Sequence, residues 1–128
     1  MVVRYADGRL LKGYADFDPE QPCLRLAPLR EPDADPLEVP VKELKAVFFV
    51  RTFEGNPGYD ESKDLYQPRP TGTRKVSVRF RDGEELVGYT RQLDRYRGGL
   101  FFTPLDSRTN NLRVFAVFDA LWGVQRLL

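Results

Sequence analysis

The sequence predicts an all-β fold built from two tandem, five-stranded small barrels packed as a pseudo-dimer. Three observations predict it. The chain repeats itself at an offset of 75 to 77 residues, its apolar residues alternate at period two around Asp-Gly turns, and no amphipathic helical stretch of useful length occurs. Val3-Arg4-Tyr5-Ala6-Asp7-Gly8 matches Val78-Arg79-Phe80-Arg81-Asp82-Gly83, and the same offset carries Leu11 onto Leu86 and Gly13-Tyr14 onto Gly88-Tyr89. After one residue of drift Leu24-Arg25-Leu26-Ala27-Pro28-Leu29 matches Leu100-Phe101-Phe102-Thr103-Pro104-Leu105, and after a second Leu44, Ala46 and Val47 fall on Leu121, Gly123 and Val124. Two copies of a long unit mean twin domains, since a solenoid needs three or more stacked repeats.

The elements follow in order within each unit. In the first strand Val76, Val78 and Phe80 alternate with Ser77, Arg79 and Arg81, which gives one apolar face. Asp7-Gly8 and Asp82-Gly83 read as two-residue hairpin turns in which glycine supplies positive φ. A second strand follows with Gly13 or Gly88 at its middle, the mark of a sharp bend where a Cβ would clash. The third strand is Cys23 to Leu29 or Gly99 to Leu105, and the fourth Leu37 to Val41 or Leu112 to Val117. A 3₁₀ turn at Lys42-Glu43-Leu44 or Phe118-Asp119-Ala120 leads into the last strand, Lys45 to Arg51 or Leu121 to Leu127. Five short strands, a bent second strand and a 3₁₀ turn before the fifth describe an SH3/Sm-like small barrel. The domain reading is therefore residues 1–50 as the first barrel, 51–74 as a linker and 75–128 as the second barrel.

The linker holds Gly55, Pro57, Gly58, Pro68, Pro70 and Gly72, which exclude a long helix or a central strand. It also holds Phe53, Tyr59 and Tyr66, so it is expected to lie anchored across the two units. Ala46-Val47-Phe48-Phe49-Val50 and Val114-Phe115-Ala116-Val117-Phe118 are apolar on both faces, and a strand apolar on both faces is covered on both faces. One small barrel has a single interior, so the outer face needs the sister barrel, the linker or a second chain.

Composition narrows the chemistry. The 128 residues include no histidine and one cysteine, so Ser-His-Asp and Cys-His nucleophiles, imidazole metal sites, zinc-thiolate clusters and internal disulfides are excluded. Asp7 and Asp82 belong to turns, and Glu31, Asp33, Asp35 and Glu38 belong to a Pro-rich loop, so no carboxylate pair is poised for acid–base work. Cys23 sits on a strand and reads as a small core residue. No catalytic residue, metal or cofactor is implied. The net charge of +1 conceals an asymmetry: residues 1 to 50 carry 7 basic and 9 acidic groups, residues 76 to 128 carry 8 and 6. The longest purely apolar runs are five residues, far below the roughly 20 a membrane-spanning helix needs. With a lone cysteine and no apolar leader near Arg4, the expectation is a cytoplasmic protein with no membrane contact.

Two resemblances can be placed on these residues. Val3 to Arg9 with Gly13, Asp18 and Leu24-Arg25-Leu26, and again Val78 to Leu86 with Gly88, resemble the first motif of Sm-like proteins. The RNA-contacting positions of that family are largely missing: Asp18 to Pro22 lacks a Met-Asn pair, and Ala46 to Arg51 lacks an Arg-Gly turn. The resemblance therefore implies the barrel and leaves RNA binding as an alternative. The whole chain also resembles an uncharacterised bacterial family of tandem small β-barrels, through Asp82 to Tyr89, Phe101 to Pro104 and Asn110-Asn111. Some of that family's members are joined to PilZ or signalling domains, which implies bacterial regulation. Arg91 and Arg95 have the Arg-x-x-x-Arg spacing of PilZ domains, but here the pair follows the second strand instead of preceding the barrel, and Asp106-Ser107-Arg108-Thr109 does not supply the partner motif.

The loop Tyr89 to Arg97 interleaves three arginines with two tyrosines and is the expected place for a polar ligand. Arg91, Arg95, Tyr96 and Arg97 are its candidate binding residues, with Phe101, turned outward where the first copy has Arg25, as an apolar anchor. The functional expectation is a non-catalytic binding or adaptor module with a protein partner or self-association. RNA or nucleotide binding by a degenerate Sm-like barrel and a structural homo-oligomer are the alternatives.

Overall fold

The computed structural model describes residues 1–31, 33–55, 69–106 and 108–127. The first half contributes β1 (Val2–Tyr5), β2 (Leu10–Tyr14), β3 (Cys23–Pro28), β4 (Leu37–Pro40) and β5 (Leu44–Val50). The second contributes β6 (Arg74–Phe80), β7 (Glu85–Thr90), β8 (Gly99–Pro104), β9 (Asn111–Val117) and β10 (Leu121–Arg126). Single 3₁₀ turns at Val41–Glu43 and Phe118–Ala120 stand before the last strand of each half. A third, Gln92–Asp94, lies in the loop after β7, where sequence reasoning placed none. The described residues contain no α-helix, and so none long and apolar enough to cross a membrane.

The twin turns and bends have local causes. Each Asp-Gly turn is one residue longer than expected: Tyr5 N–H donates to Arg9 O at 2.8 Å and Phe80 N–H to Glu84 O at 2.8 Å, enclosing three residues. Gly8 and Gly83 both take φ of 97°, the left-handed position of a three-residue hairpin loop. Asp7 and Asp82 accept the N–H of the residue two further on, from Arg9 and Glu84, at 3.0 Å each. At the bends, a Cβ on Gly13 would lie 2.2 Å from the Ala27 carbonyl oxygen and one on Gly88 2.3 Å from that of Thr103. These are the points where β2 and β7 take up their pairing with β3 and β8.

Sheet connectivity departs from the expected pair of barrels. The ten strands form one open antiparallel sheet in the order β10-β6-β7-β8-β9-β5-β1-β2-β3-β4, closed into neither one barrel nor two. The reason is the second edge of β5. One edge pairs with β1; the other takes β9, with Ala46 opposite Ala116, Val47 opposite Phe115 and Phe48 opposite Val114. The two halves are thus joined by backbone hydrogen bonding, not only by side-chain contact.

That pairing explains the strands that are apolar on both faces. Successive strand residues point to opposite sides. Val47, Phe115 and Val117 enter a core with Val3, Leu24, Leu26, Val39 and Leu44, and Phe101 of β8 joins them there. Ala46, Phe48, Val114 and Ala116 enter the other core, with Val76, Val78, Phe80, Leu100 and Phe102. Each half therefore completes its neighbour's core through the junction strands. Phe17, Phe49, Tyr96, Phe101 and Phe115 form a ring cluster on the first of these cores, with Phe101 and Phe115 centroids 4.9 Å apart. Such pairs add about 0.5–1.5 kcal/mol each beyond area burial.

Phe53 meets Tyr14 edge-on at 5.3 Å, and its carbonyl accepts from Lys12 Nζ at 2.6 Å. Asn110 holds Thr52 from both ends of its amide: Nδ2 donates to Thr52 O, and Oδ1 accepts from Thr52 N–H. Tyr59 and Tyr66 lie outside the described residues.

A charged clasp adds to the junction. Lys45 of β5 is buried, and its Nζ lies 2.6 Å from Asp82 and 2.5 Å from Glu84 in the β6–β7 turn, above the Phe80 ring. Hydrogen bonding from Lys45, and then from the Glu84 N–H, holds the Asp82 carboxyl below its ordinary value. A carboxyl lowered in this way contributes stability above its unfolded-state pKa, and the contribution is lost as pH falls through the folded-state value. Wild type should therefore lose stability on acidification from neutral pH, and Asp82→Asn should flatten that part of the profile, as read by urea midpoints at several pH values. Lys45→Ala should cost about 1–2 kcal/mol, since it removes a buried stem and its ion pairs while the two half-exposed carboxylates it leaves are screened by water.

Candidate functional site

The candidate loop is held by its own backbone and by one acid. Arg91 N–H donates to Asp94 Oδ2 at 2.9 Å, Asp94 N–H donates to Arg91 O at 3.0 Å, and Asp94 Oδ1 accepts from Arg113 Nη2 at 3.1 Å. Both Asp94 oxygens are thus engaged on the loop and on β9. Thr90 Oγ1 donates to Phe101 O at 2.7 Å, which ties the end of β7 to β8. Arg95 pairs across to Leu100 as an isolated bridge, so the 3₁₀ turn and both its flanks are fixed before any ligand arrives.

This frame divides the five candidate residues. Arg91 and Arg95 are exposed and line one cavity of about 390 Å³ together with Arg74 of β6 and Arg126 of β10. Val76, Leu100 and Val124 supply apolar lining, and Thr90 and Gln92 supply polar groups. No acidic side chain is among its described lining residues. Arg95 lies over the Phe118 ring, guanidinium carbon 4.9 Å from the centroid, which restricts the plane of its fork. The guanidiniums approach from β6, the β7–β8 loop and β10, and a fork of fixed donors suits carboxylate or phosphate oxygens.

The other three candidates are elsewhere. Phe101 is not an outward anchor: it is buried in the shared aromatic cluster, with the Arg113 guanidinium 3.8 Å above its ring. The reason is the junction, since the outer face of β8 is covered by the first half. Tyr96 packs edge-on against Phe101 at 5.8 Å and belongs to that cluster. Arg97 lines a different groove, with Lys42, Pro19, Pro22, Phe118 and Asp119. Cys23 also lines that groove and is half-buried, less enclosed than a core residue.

Sequence reasoning missed Arg74 and Arg126, which lie 17 and 31 residues from Arg91 and Arg95. A signal for Arg126 was present. Its twin at offset 77 is Phe49, and a charge where the covered copy has an aromatic marks a strand whose edge stays open.

Among the described residues, no three His, Cys, Asp or Glu side chains gather as a metal site would require. Asp94→Ala should free both ends of the loop while leaving the two cores intact. Amide exchange at residues 91–95 should quicken at least tenfold, with the thermal midpoint moving by no more than a few degrees. No curated protein and no solved structure matches the chain. The profile of a family of unknown function, DUF6982, matches residues 1–127, and the chain belongs to that family.

Proposed function

We propose that the chain is a non-catalytic binding module that holds an anionic ligand in the arginine groove of its second half, serving as a regulatory adaptor in the bacterial cytoplasm. The observation that carries this reading is the convergence of Arg74, Arg91, Arg95 and Arg126 on one cavity with no described acidic lining residue. Four like charges in one groove repel one another, and an anion relieves that repulsion. The non-catalytic part rests on the available chemistry. The chain has no histidine, the acids of the β6–β7 turn are held by Lys45, and Asp94 is held by Arg113. We read each half as an opened form of an SH3/Sm-like small barrel, a reading supported by its five-strand order, its bent second strand and the 3₁₀ turn before its last strand.

The homo-oligomer alternative is less well supported by the free edges. Where covered β9 has Phe115, its twin on β4 is Glu38, and Pro36 and Pro40 bracket that strand. Where covered β5 has Phe48 and Phe49, β10 has Gln125 and Arg126. Proline and charge are the ordinary means of blunting an edge against another chain.

The reading predicts that wild type is retained on a sulfated polyanion column at low salt and released as salt rises. Arg91→Glu/Arg126→Glu should elute clearly earlier than the charge-matched control Arg25→Glu/Arg97→Glu. Coincident elution of the two double variants would remove the groove from the account.

A further inference from the structure

We infer that the arginine groove takes a compact phosphate compound of nucleotide size, a nucleoside di- or triphosphate, and not an extended nucleic-acid strand. This rests on the anionic-ligand reading above and narrows it. Size limits the ligand. The cavity volume of about 390 Å³ lies within the ~300–1,000 Å³ of sites that enclose a small molecule. Layout limits it further. A surface that tracks a polynucleotide carries its charges in a stripe at the spacing of successive phosphates. Here the charges come from three separate elements, with Arg74 and Arg126 on strands and Arg91 and Arg95 on the loop, around one cavity.

The described groove wall also lacks a stacking platform. Single-strand binders place successive bases on aromatic rings. The lining holds Val76, Leu100 and Val124 but no described aromatic residue, because Phe101 is buried and the half-buried Tyr96 packs against it. An aliphatic floor accepts one flat ring by burial, while the Gln92 amide and the acceptor side of the Thr90 hydroxyl offer orienting polar groups beside it. The charge count sets the other end of the ligand. Four guanidiniums without a described acid call for more than one negative charge in a small volume, which adjacent phosphates provide. Asp94, spent on Arg113 and the Arg91 N–H, leaves that charge standing.

The test is calorimetric titration of the full chain at low salt with ADP, inorganic pyrophosphate, adenosine and a 20-nucleotide single strand, repeated on Arg91→Ala, Arg126→Ala and the control Arg97→Ala. The substituted side chains are exposed, and circular dichroism checks that each variant keeps its fold. ADP should bind more tightly than pyrophosphate, and adenosine should show no binding. Arg91→Ala and Arg126→Ala should each weaken ADP roughly tenfold or more, as loss of a charge-assisted hydrogen bond does, with Arg97→Ala unchanged. The strand should bind more weakly than ADP. If the strand binds tightly and ADP does not, the compact-ligand inference is overturned while the anionic-ligand reading stands. If pyrophosphate equals ADP, the apolar floor has no role and the nucleotide assignment is overturned. If none of the four binds, both fall.

Discussion

The pairing of β5 with β9 is the constraint on which the rest of the structure depends. A strand that is apolar on both faces has to be buried on both, and neither half alone has a second interior to offer. Hydrogen bonding between these two strands puts both at the centre of one sheet, where alternate residues feed opposite cores. Val47 and Phe115 fill one side while Ala46 and Val114 fill the other. The halves are consequently not free to turn against each other, and the Lys45 clasp and the Asn110–Thr52 contact sit beside a junction already fixed by backbone.

The site follows from the asymmetry this creates. After the junction is made, each half has one strand position left uncovered: β4 in the first, β10 in the second. The uncovered β10 lies beside β6, so its residues border the space between β6 and the β7–β8 loop instead of another strand. Arg126 stands in that space where Phe49, its twin, is packed among rings. The two halves thus share one strand order. The junction covers the apolar surface of β5 and leaves β10, at the sheet edge, carrying charge.

Much of the fold was legible because it is written in local chemistry. The twin Asp-Gly turns, the glycines at the bends and the period-two strands each depend on a few adjacent residues, and the strands lie within a residue or two of where alternation places them. The doubly apolar character of Val114 to Phe118 even required a second cover. What could not be read is which edge meets which, since that is a contact between residues about 70 apart with nothing local to encode it. The same holds for the site. Arg91 and Arg95 were visible as a charged loop, whereas Arg74 and Arg126 join them only through strand order. Phe101 was misplaced for the converse reason: alternation correctly turns it away from its own half's core, but only the junction reveals that the first half covers it.

Native-state hydrogen exchange on wild type and Phe115→Ala tests most directly whether the two halves fold as one unit. If the β5·β9 junction governs stability as argued, the best-protected amides of β3 and of β8 share one opening free energy in wild type. Phe115→Ala then lowers both by the same amount, about 3–5 kcal/mol for a buried phenylalanine. Distinct opening energies for the two strands, or a loss confined to one half, would contradict the account.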